Sequence, residues 1–238
     1  MSGYNRDRAT AAVRSFYVFL ATLPRLSAED IVNPPEEGWL DLTDDYLAPL
    51  GKSPAVRDLL RHLPYIRSNG EGNSQVAPMT DAVDYGDSAT RWTFNRGLID
   101  GNLAPCGAGQ VPPHVAVLTS GARYGSWLLL DTAAGKTGTV TDFIQQERPE
   151  RSEPAQDSPD AWRAYHTRPV EEFFEEWKEK YRTLEWAAVV ENVDDGVVFR
   201  QDASTDEVRQ IYRDHGWPGA FNREDCQEAI RAWERRQR

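Results

Sequence analysis

The sequence contains few cysteines. Only Cys106 and Cys226 occur among its 238 residues, far apart and without a second cysteine at CxxC spacing. A disulfide framework or a zinc site made of cysteines needs several cysteines at short, regular spacings. We therefore predict two free thiols. No motif for a cofactor or a metal is present, so we expect no cofactor.

Long apolar runs are also missing. No run approaches the roughly 20 residues that a membrane-spanning helix requires. The first residues, MSGYNRDRATAAVR, lack the apolar segment of a secretory signal. We therefore expect no membrane partner and a cytoplasmic localisation, with the nucleus as an alternative.

Positive charge is scarce. Lysine and arginine number 27 against 38 aspartate and glutamate residues, which gives a formal net charge of −11. Such a chain repels a phosphate backbone unless its basic residues are segregated into one patch. We expect no nucleic-acid partner.

Amphipathic helices are indicated on both sides of the central part of the chain. Apolar residues recur every three or four positions from Arg8 to Leu23 and again from Pro169 to Leu184. A short helix is predicted to start at Ser53-Pro54 and to end near His62, because Pro64 disfavours helix in the residue before it. Two more short helices are predicted around Gly216-Trp217-Pro218, with Ser204 or Thr205 and Asn222 as N-caps.

The centre of the chain indicates a sheet. Val83/Tyr85 and Trp92/Phe94 alternate as in strands, with Gly86-Asp87 as the turn between them. The segments HVAVL, WLLLD and GTVTDF follow as three short strands with short connections, the pattern of an antiparallel meander.

These elements predict an α+β fold. We expect a mixed or antiparallel sheet, with the N-terminal helix and the helix of the C-terminal half packed on it. Residues 1–186 would form one α+β domain and residues 187–238 a helical C-terminal extension. Residues 145–161 contain three prolines, many charges and no large apolar side chain, so we predict a mobile insertion there.

Gly135-Lys136-Thr137 raises the question of a phosphate-binding loop. That loop requires a glycine five residues before Gly135, where this sequence has Leu130, and a helix after the threonine. Gly138-Thr139-Val140 follows instead, which is a strand pattern. We predict a turn between two strands and no nucleotide binding.

The order of the short motifs resembles the SMI1/KNR4 (SUKH) superfamily. The matching residues are Leu130-Asp131, Gly138-Thr139-Val140, the acidic helix PVEEFFEEWKEKY and, upstream, LPYIRSNGEG. The resemblance covers about residues 59–184 and extends to fungal proteins with this core. It implies a binding module, since relatives include bacterial immunity proteins and fungal regulators of cell-wall synthesis and signalling. It carries no shared catalytic residue.

Two sets of candidate site residues follow. His114, Asp131 and Asp142 could converge as an acid-base set, although turn aspartates that bond their own backbone are an alternative. Aromatic residues beside glycine or polar residues could rim a partner-binding groove, although most large aromatics are core residues. That partner-binding set consists of Trp39, Trp92, Tyr124 and Trp127, together with Arg123, which the glycines at 121 and 125 would place with Tyr124 at the tip of a hairpin.

The leading hypothesis is a non-enzymatic, intracellular protein-interaction or regulatory module that binds another protein or a peptide. One variant of it uses residues 145–161 as the binding element. The alternative is a small-molecule enzyme that uses Asp131, Asp142 and His114. A pocket where His114 meets an aspartate would favour the enzyme, and a shallow aromatic groove would favour the binding module.

Overall fold

The fold is known from a computed structural model. It describes residues 4–67, 74–94, 96, 103, 105, 111–121, 124–155, 158, 160–192 and 196–238. These residues form α-helices and antiparallel strand pairs. The predicted α+β fold class is confirmed.

Seven α-helices lie in the described part of the chain. They are α1 (Arg6–Leu20), α2 (Asp44–Leu47), α3 (Pro54–His62), α4 (Ser88–Phe94), α5 (Val170–Arg182), α6 (Ala203–Asp214) and α7 (Arg223–Gln237). The strands are β1 (Ile31–Val32), β2 (Tyr65–Ile66), β3 (Gln75–Ala77), β4 (Thr80–Ala82), β5 (Val115–Val117), β6 (Thr119–Ser120), β7 (Trp127–Asp131), β8 (Thr139–Phe143), β9 (His166–Pro169), β10 (Ala187–Ala188) and β11 (Val197–Val198).

The largest sheet has four antiparallel strands in the order β5-β7-β8-β9. Its register pairs Trp127 with Phe143 and Asp131 with Thr139. The predicted pairing of the three central strands is confirmed. The strand β6 leaves this sheet and pairs with β4 in a second sheet, β3-β4-β6, while β1-β2 and β10-β11 form two-stranded pairs.

Both faces of the four-stranded sheet are buried, and successive residues of a strand point to opposite faces. One face carries Ala116, Leu128, Leu130 and Val140 and belongs to the main hydrophobic cluster with α1 and α5. The other face carries Val115, Val117, Trp127, Leu129 and Phe143, which form a second cluster with Trp162. Trp162 comes from a short 3-10 helix, Ala161–Ala164.

Local capping explains where two predicted helices begin. The Asn5 side chain accepts a hydrogen bond from the Arg8 amide at the start of α1. Ser53 accepts one from Val56 at the start of α3, which ends at His62 as predicted. Helices α1 and α5 then pack through aromatic rings, with the centroids of Phe16 and Phe174 5.1 Å apart.

The predicted strand containing Trp92 and Phe94 is wrong, because these residues lie in helix α4. The Asp84 carboxylate accepts a hydrogen bond from Gly86, and Asp87 accepts one from Thr90. Asp84 thereby closes the turn before α4, and Asp87 satisfies one free amide at the helix start, which favours helix over the alternating pattern. The N-cap of α6 is also Asp202 instead of Ser204 or Thr205.

Residues 132–138 form the connection between β7 and β8. Gly135 and Gly138 adopt left-handed backbone conformations, with φ of 69° and 84°, and the Lys136 carbonyl accepts a hydrogen bond from the Asn5 amide. A strand follows this connection, as predicted. The arrangement lacks a helix N-terminus after Thr137 that could hold a phosphate.

The C-terminal helices join the main hydrophobic cluster. Val208, Tyr212, Cys226 and Ile230 are buried in it. The Arg223 side chain donates hydrogen bonds to the carbonyls of Leu23 and Leu26 after α1, so α7 is anchored to the N-terminal part of the chain.

Cys226 is buried and carries a free thiol. Burial raises the pKa of this thiol to about 12, so it stays protonated at neutral pH. Cys106, the other cysteine, lies outside the described residues.

The described residues between 145 and 160 include no α-helix or strand. The Arg151 amide donates a hydrogen bond to the Ala164 carbonyl, and the Tyr165 hydroxyl donates one to the Glu147 carbonyl. The mobility of residues 145–161 stays a prediction. The predicted mobile segment ends one residue before Trp162, which is almost completely buried.

Among the helices that the structure describes, none combines the length and the apolar character needed to cross a membrane.

Candidate binding groove

A groove of about 460 Å³ lies beside β8, β9 and α5. Four aromatic side chains line it, Tyr124, Trp177, Trp186 and Phe199. The rings of Trp177 and Trp186 meet edge to face with centroids 5.2 Å apart, while Tyr124 is 59% exposed and Phe199 36% exposed. The groove therefore combines a rigid aromatic wall with two aromatic side chains that are open to solvent.

Asp142 places a carboxylate in this groove. It lies on β8 directly opposite His166 of β9. A hydrogen bond from the Ser126 side chain stabilises its charged form, but its Oδ1 atom is buried and accepts no hydrogen bond from any described residue. Burial is the larger effect and raises the pKa of Asp142 to about 6.

The two basic groups in the groove, His166 and Lys180, are each paired with a carboxylate. His166 contacts Glu176 through Nε2 at 2.7 Å and Glu150 through Nδ1 at 2.9 Å. The Lys180 ammonium lies 2.6 Å from Glu185 and 5.0 Å from the centre of the Trp186 ring. These contacts fix the side chains around Asp142 without giving Asp142 itself an ion pair within the described part of the chain.

The rim of the groove includes an unusual backbone conformation. Met79, at the tight turn between β3 and β4, has a φ of 51°, in the left-handed region that glycine favours. Pro78 before it suits the first central position of such a turn. Gly125 approaches so closely that a Cβ atom there would collide with the Met79 carbonyl, so this side of the groove requires glycine at 125.

The predicted acid-base set does not assemble. Asp131 and His114 lie together, with 3.7 Å between Asp131 Oδ1 and His114 Nε2. Asp142 is on the opposite face of the sheet, because it pairs with Leu128 while Asp131 shares the face of Leu129. The set His114, Asp131 and Asp142 is therefore wrong as a single site.

Asp131 has structural partners instead. Its carboxylate accepts a hydrogen bond from the Ala133 amide and forms an ion pair with Arg163 at 2.6 Å. The first contact is the turn hydrogen bond that the alternative interpretation described. The ion pair links the end of β7 to the 3-10 helix Ala161–Ala164, which also carries Trp162.

The predicted partner-binding residues are also separated. Trp127 is 1% exposed, so it cannot contact a partner, and its place in that set is wrong. Trp39 is partly buried and donates a hydrogen bond to the Leu63 carbonyl. Trp92 is 59% exposed on α4, outside the groove. Tyr124 alone of the set lines the groove, and Arg123 lies outside the described residues.

Sequence reasoning missed the residues that complete the groove, His166, Glu176, Trp177, Trp186 and Phe199. The spacing of Trp177 in α5 marks it correctly as an inward-facing residue, but it gives no sign that a groove lies beside it. No group of three or more histidine, cysteine or acidic residues in the described ranges could hold a metal ion.

Comparison with known proteins gives no relative. No protein-family model matches the chain, and no curated protein and no solved structure matches it either. The similarity to the SMI1/KNR4 superfamily therefore stays a prediction from the sequence motifs.

Proposed function

We propose that this chain is a non-enzymatic protein-interaction or regulatory module that binds a segment of another protein in the groove. The aromatic lining is the observation that carries the proposal. Trp186 is partly exposed and packs edge to face on the buried ring of Trp177, and Tyr124 lines the same groove with more than half of its surface exposed. Large aromatic side chains around a concave surface are typical anchors for partner side chains.

The size and polarity of the groove support a peptide segment as the occupant. A volume of about 460 Å³ is suited to a few side chains and lies within the usual range for binding pockets. Carboxylates and the Ser126 hydroxyl stand among the aromatic rings and can fix the orientation of a bound segment. The resemblance to a superfamily of binding modules points in the same direction.

An enzyme is the second candidate, because Asp142 with a pKa of about 6 lies beside His166. Such shifted carboxyl groups are common at catalytic sites. However, both ring nitrogens of His166 already contact carboxylates. A catalytic base needs a nitrogen within reach of the substrate's proton, so this arrangement favours binding over catalysis.

Tyr124→Ala is expected to weaken partner binding by at least tenfold, since truncation of a central aromatic anchor typically costs 2 kcal/mol or more. Peptides selected from a displayed library on the full chain would serve as ligands, with affinity measured by calorimetry. Stability should change little because Tyr124 is exposed.

Trp92→Ala is the matched control, since Trp92 is 59% exposed like Tyr124 but lies outside the groove. Its affinity for the same peptides should equal that of the unmodified chain. If the unmodified chain, Tyr124→Ala and Trp92→Ala bound the peptides with equal affinity, or if Trp92→Ala lost more affinity than Tyr124→Ala, the groove would be refuted as the binding face.

A further inference from the structure

The groove has an excess of negative charge. Four carboxylates line it, from Asp142, Glu147, Glu176 and Glu185, against one lysine and one histidine. Lys180 is paired with Glu185, and His166 with Glu176. Asp142 has no such ion pair within the part of the chain that the structure describes. A positive charge entering the groove would therefore meet a carboxylate that forms no ion pair with any described residue.

The groove already holds one ammonium group of the chain itself. The Lys180 ammonium sits over the Trp186 ring and against the Glu185 carboxylate, at 5.0 Å and 2.6 Å. An aromatic face and a carboxylate together bind a cation by cation–π and charge attraction. Tyr124 and Asp142 line the same groove and offer the same two kinds of group.

Building on the proposed function, we infer that the groove binds a basic segment of the partner protein and pairs a lysine or arginine side chain with the Asp142 carboxylate. Tyr124 and the partly exposed Trp186 would contact the aliphatic stem of that side chain. The buried Oδ1 atom of Asp142 supports this assignment, since it lacks a donor among the described residues. A buried carboxylate oxygen without a donor is costly to a fold, and such groups are common at functional sites.

The charge of Asp142 depends on the groups that face it. These are the Ser126 side chain, Glu147, His166 of β9 and Lys180 of α5. Burial dominates and raises the pKa of Asp142 to about 6. The pairing with a basic side chain should therefore be complete above about pH 7 and should weaken as the pH falls below about 6.

Three synthetic peptides would test the inference. They share a sequence of glycine and tyrosine residues and differ only in one central residue, which is lysine, glutamine or glutamate. Binding to the full chain is measured by NMR titration at neutral pH. The lysine peptide should bind about tenfold more tightly than the glutamine peptide, and the glutamate peptide should bind most weakly. Asp142→Asn should abolish the advantage of lysine.

Glu228→Gln is the control, because it removes one negative charge from an exposed position on α7, outside the groove. Glu228→Gln should keep the tenfold preference for the lysine peptide. If that preference came only from general attraction to the acidic chain, Glu228→Gln and Asp142→Asn would reduce it equally. Acidification of the unmodified protein below pH 6 should also weaken its preference for the lysine peptide, and this tests the pairing with Asp142 without a substitution.

The possible failures are distinguishable. If the glutamine peptide shifts groove resonances and lysine gives no advantage, or if the preference survives in Asp142→Asn, the assignment of a basic segment is wrong while peptide binding in the groove stands. If no peptide shifts groove resonances and Tyr124→Ala leaves the affinity of the selected peptides unchanged, both proposals are wrong.

Discussion

Replacing Trp162 with alanine is expected to destabilise the chain by about 3–5 kcal/mol, the usual cost of deleting a large buried aromatic side chain. Trp162 is 1% exposed and is the cover of the second face of the four-stranded sheet. Without it, the cluster that contains Trp127 and Leu129 loses its largest residue outside the sheet and a cavity remains. Urea unfolding followed by circular dichroism would measure the change.

The matched control replaces residues 152–160, just before this 3-10 helix, with glycine and serine. Their composition cannot bury a core, so the free energy of unfolding should change by less than about 1 kcal/mol. A large loss in this control would show that the insertion is packed. A loss below about 1 kcal/mol in Trp162→Ala would show that the second face is not a real core.

Asp142→Asn is expected to stabilise the protein above pH 7 by roughly 1–3 kcal/mol. The pKa of Asp142 is about 6 in the fold against a usual value of 3.8, and each pH unit between the two is worth about 1.4 kcal/mol. The full difference would be about 3 kcal/mol, and partial exposure of the side chain reduces it.

The sign of the effect follows from proton binding. Between about pH 4 and pH 6 the folded state binds the Asp142 proton more tightly than the unfolded state, so stability falls as the pH rises. Asparagine has no such proton, so the variant should gain stability relative to the unmodified chain across this range and keep the gain above it. Urea unfolding of the variant and of the unmodified chain at pH 4 and at pH 8 would measure the gain at the start of this range and above it.

Glu228→Gln is the control, since Glu228 is exposed on α7 and its replacement should leave the free energy of unfolding nearly unchanged. If Asp142→Asn were less stable than the unmodified chain at pH 8, the Asp142 carboxylate would be well compensated by the fold, and it would not be poised to receive a cation.

The elements that the sequence predicts well are those with strong local signals. Helix α3 has its cap and proline at the start and a proline beyond its end, and α5 has regular apolar spacing. The strands β7 and β8 are continuous apolar or alternating runs around glycines with left-handed conformations. Each of these signals acts within one element, so no knowledge of the tertiary structure is needed.

The site depends on information that no single element contains. Whether Asp131 and Asp142 share a face is set by the register of β7 against β8, and a connection of this length does not determine that register. Trp127 is buried because Trp162, more than thirty residues later, covers it. The groove likewise joins β8, β9, α5 and the turn after β3, which are distant in sequence.

The central claim is that the groove is the face that binds a partner. A photo-crosslinking amino acid placed at Tyr124, and in a second protein at Trp92, tests it most directly, because both positions are equally exposed and only Tyr124 lines the groove. Irradiation with a selected peptide should give a covalent adduct at position 124 and not at position 92. An adduct at 92 without one at 124 would contradict the account.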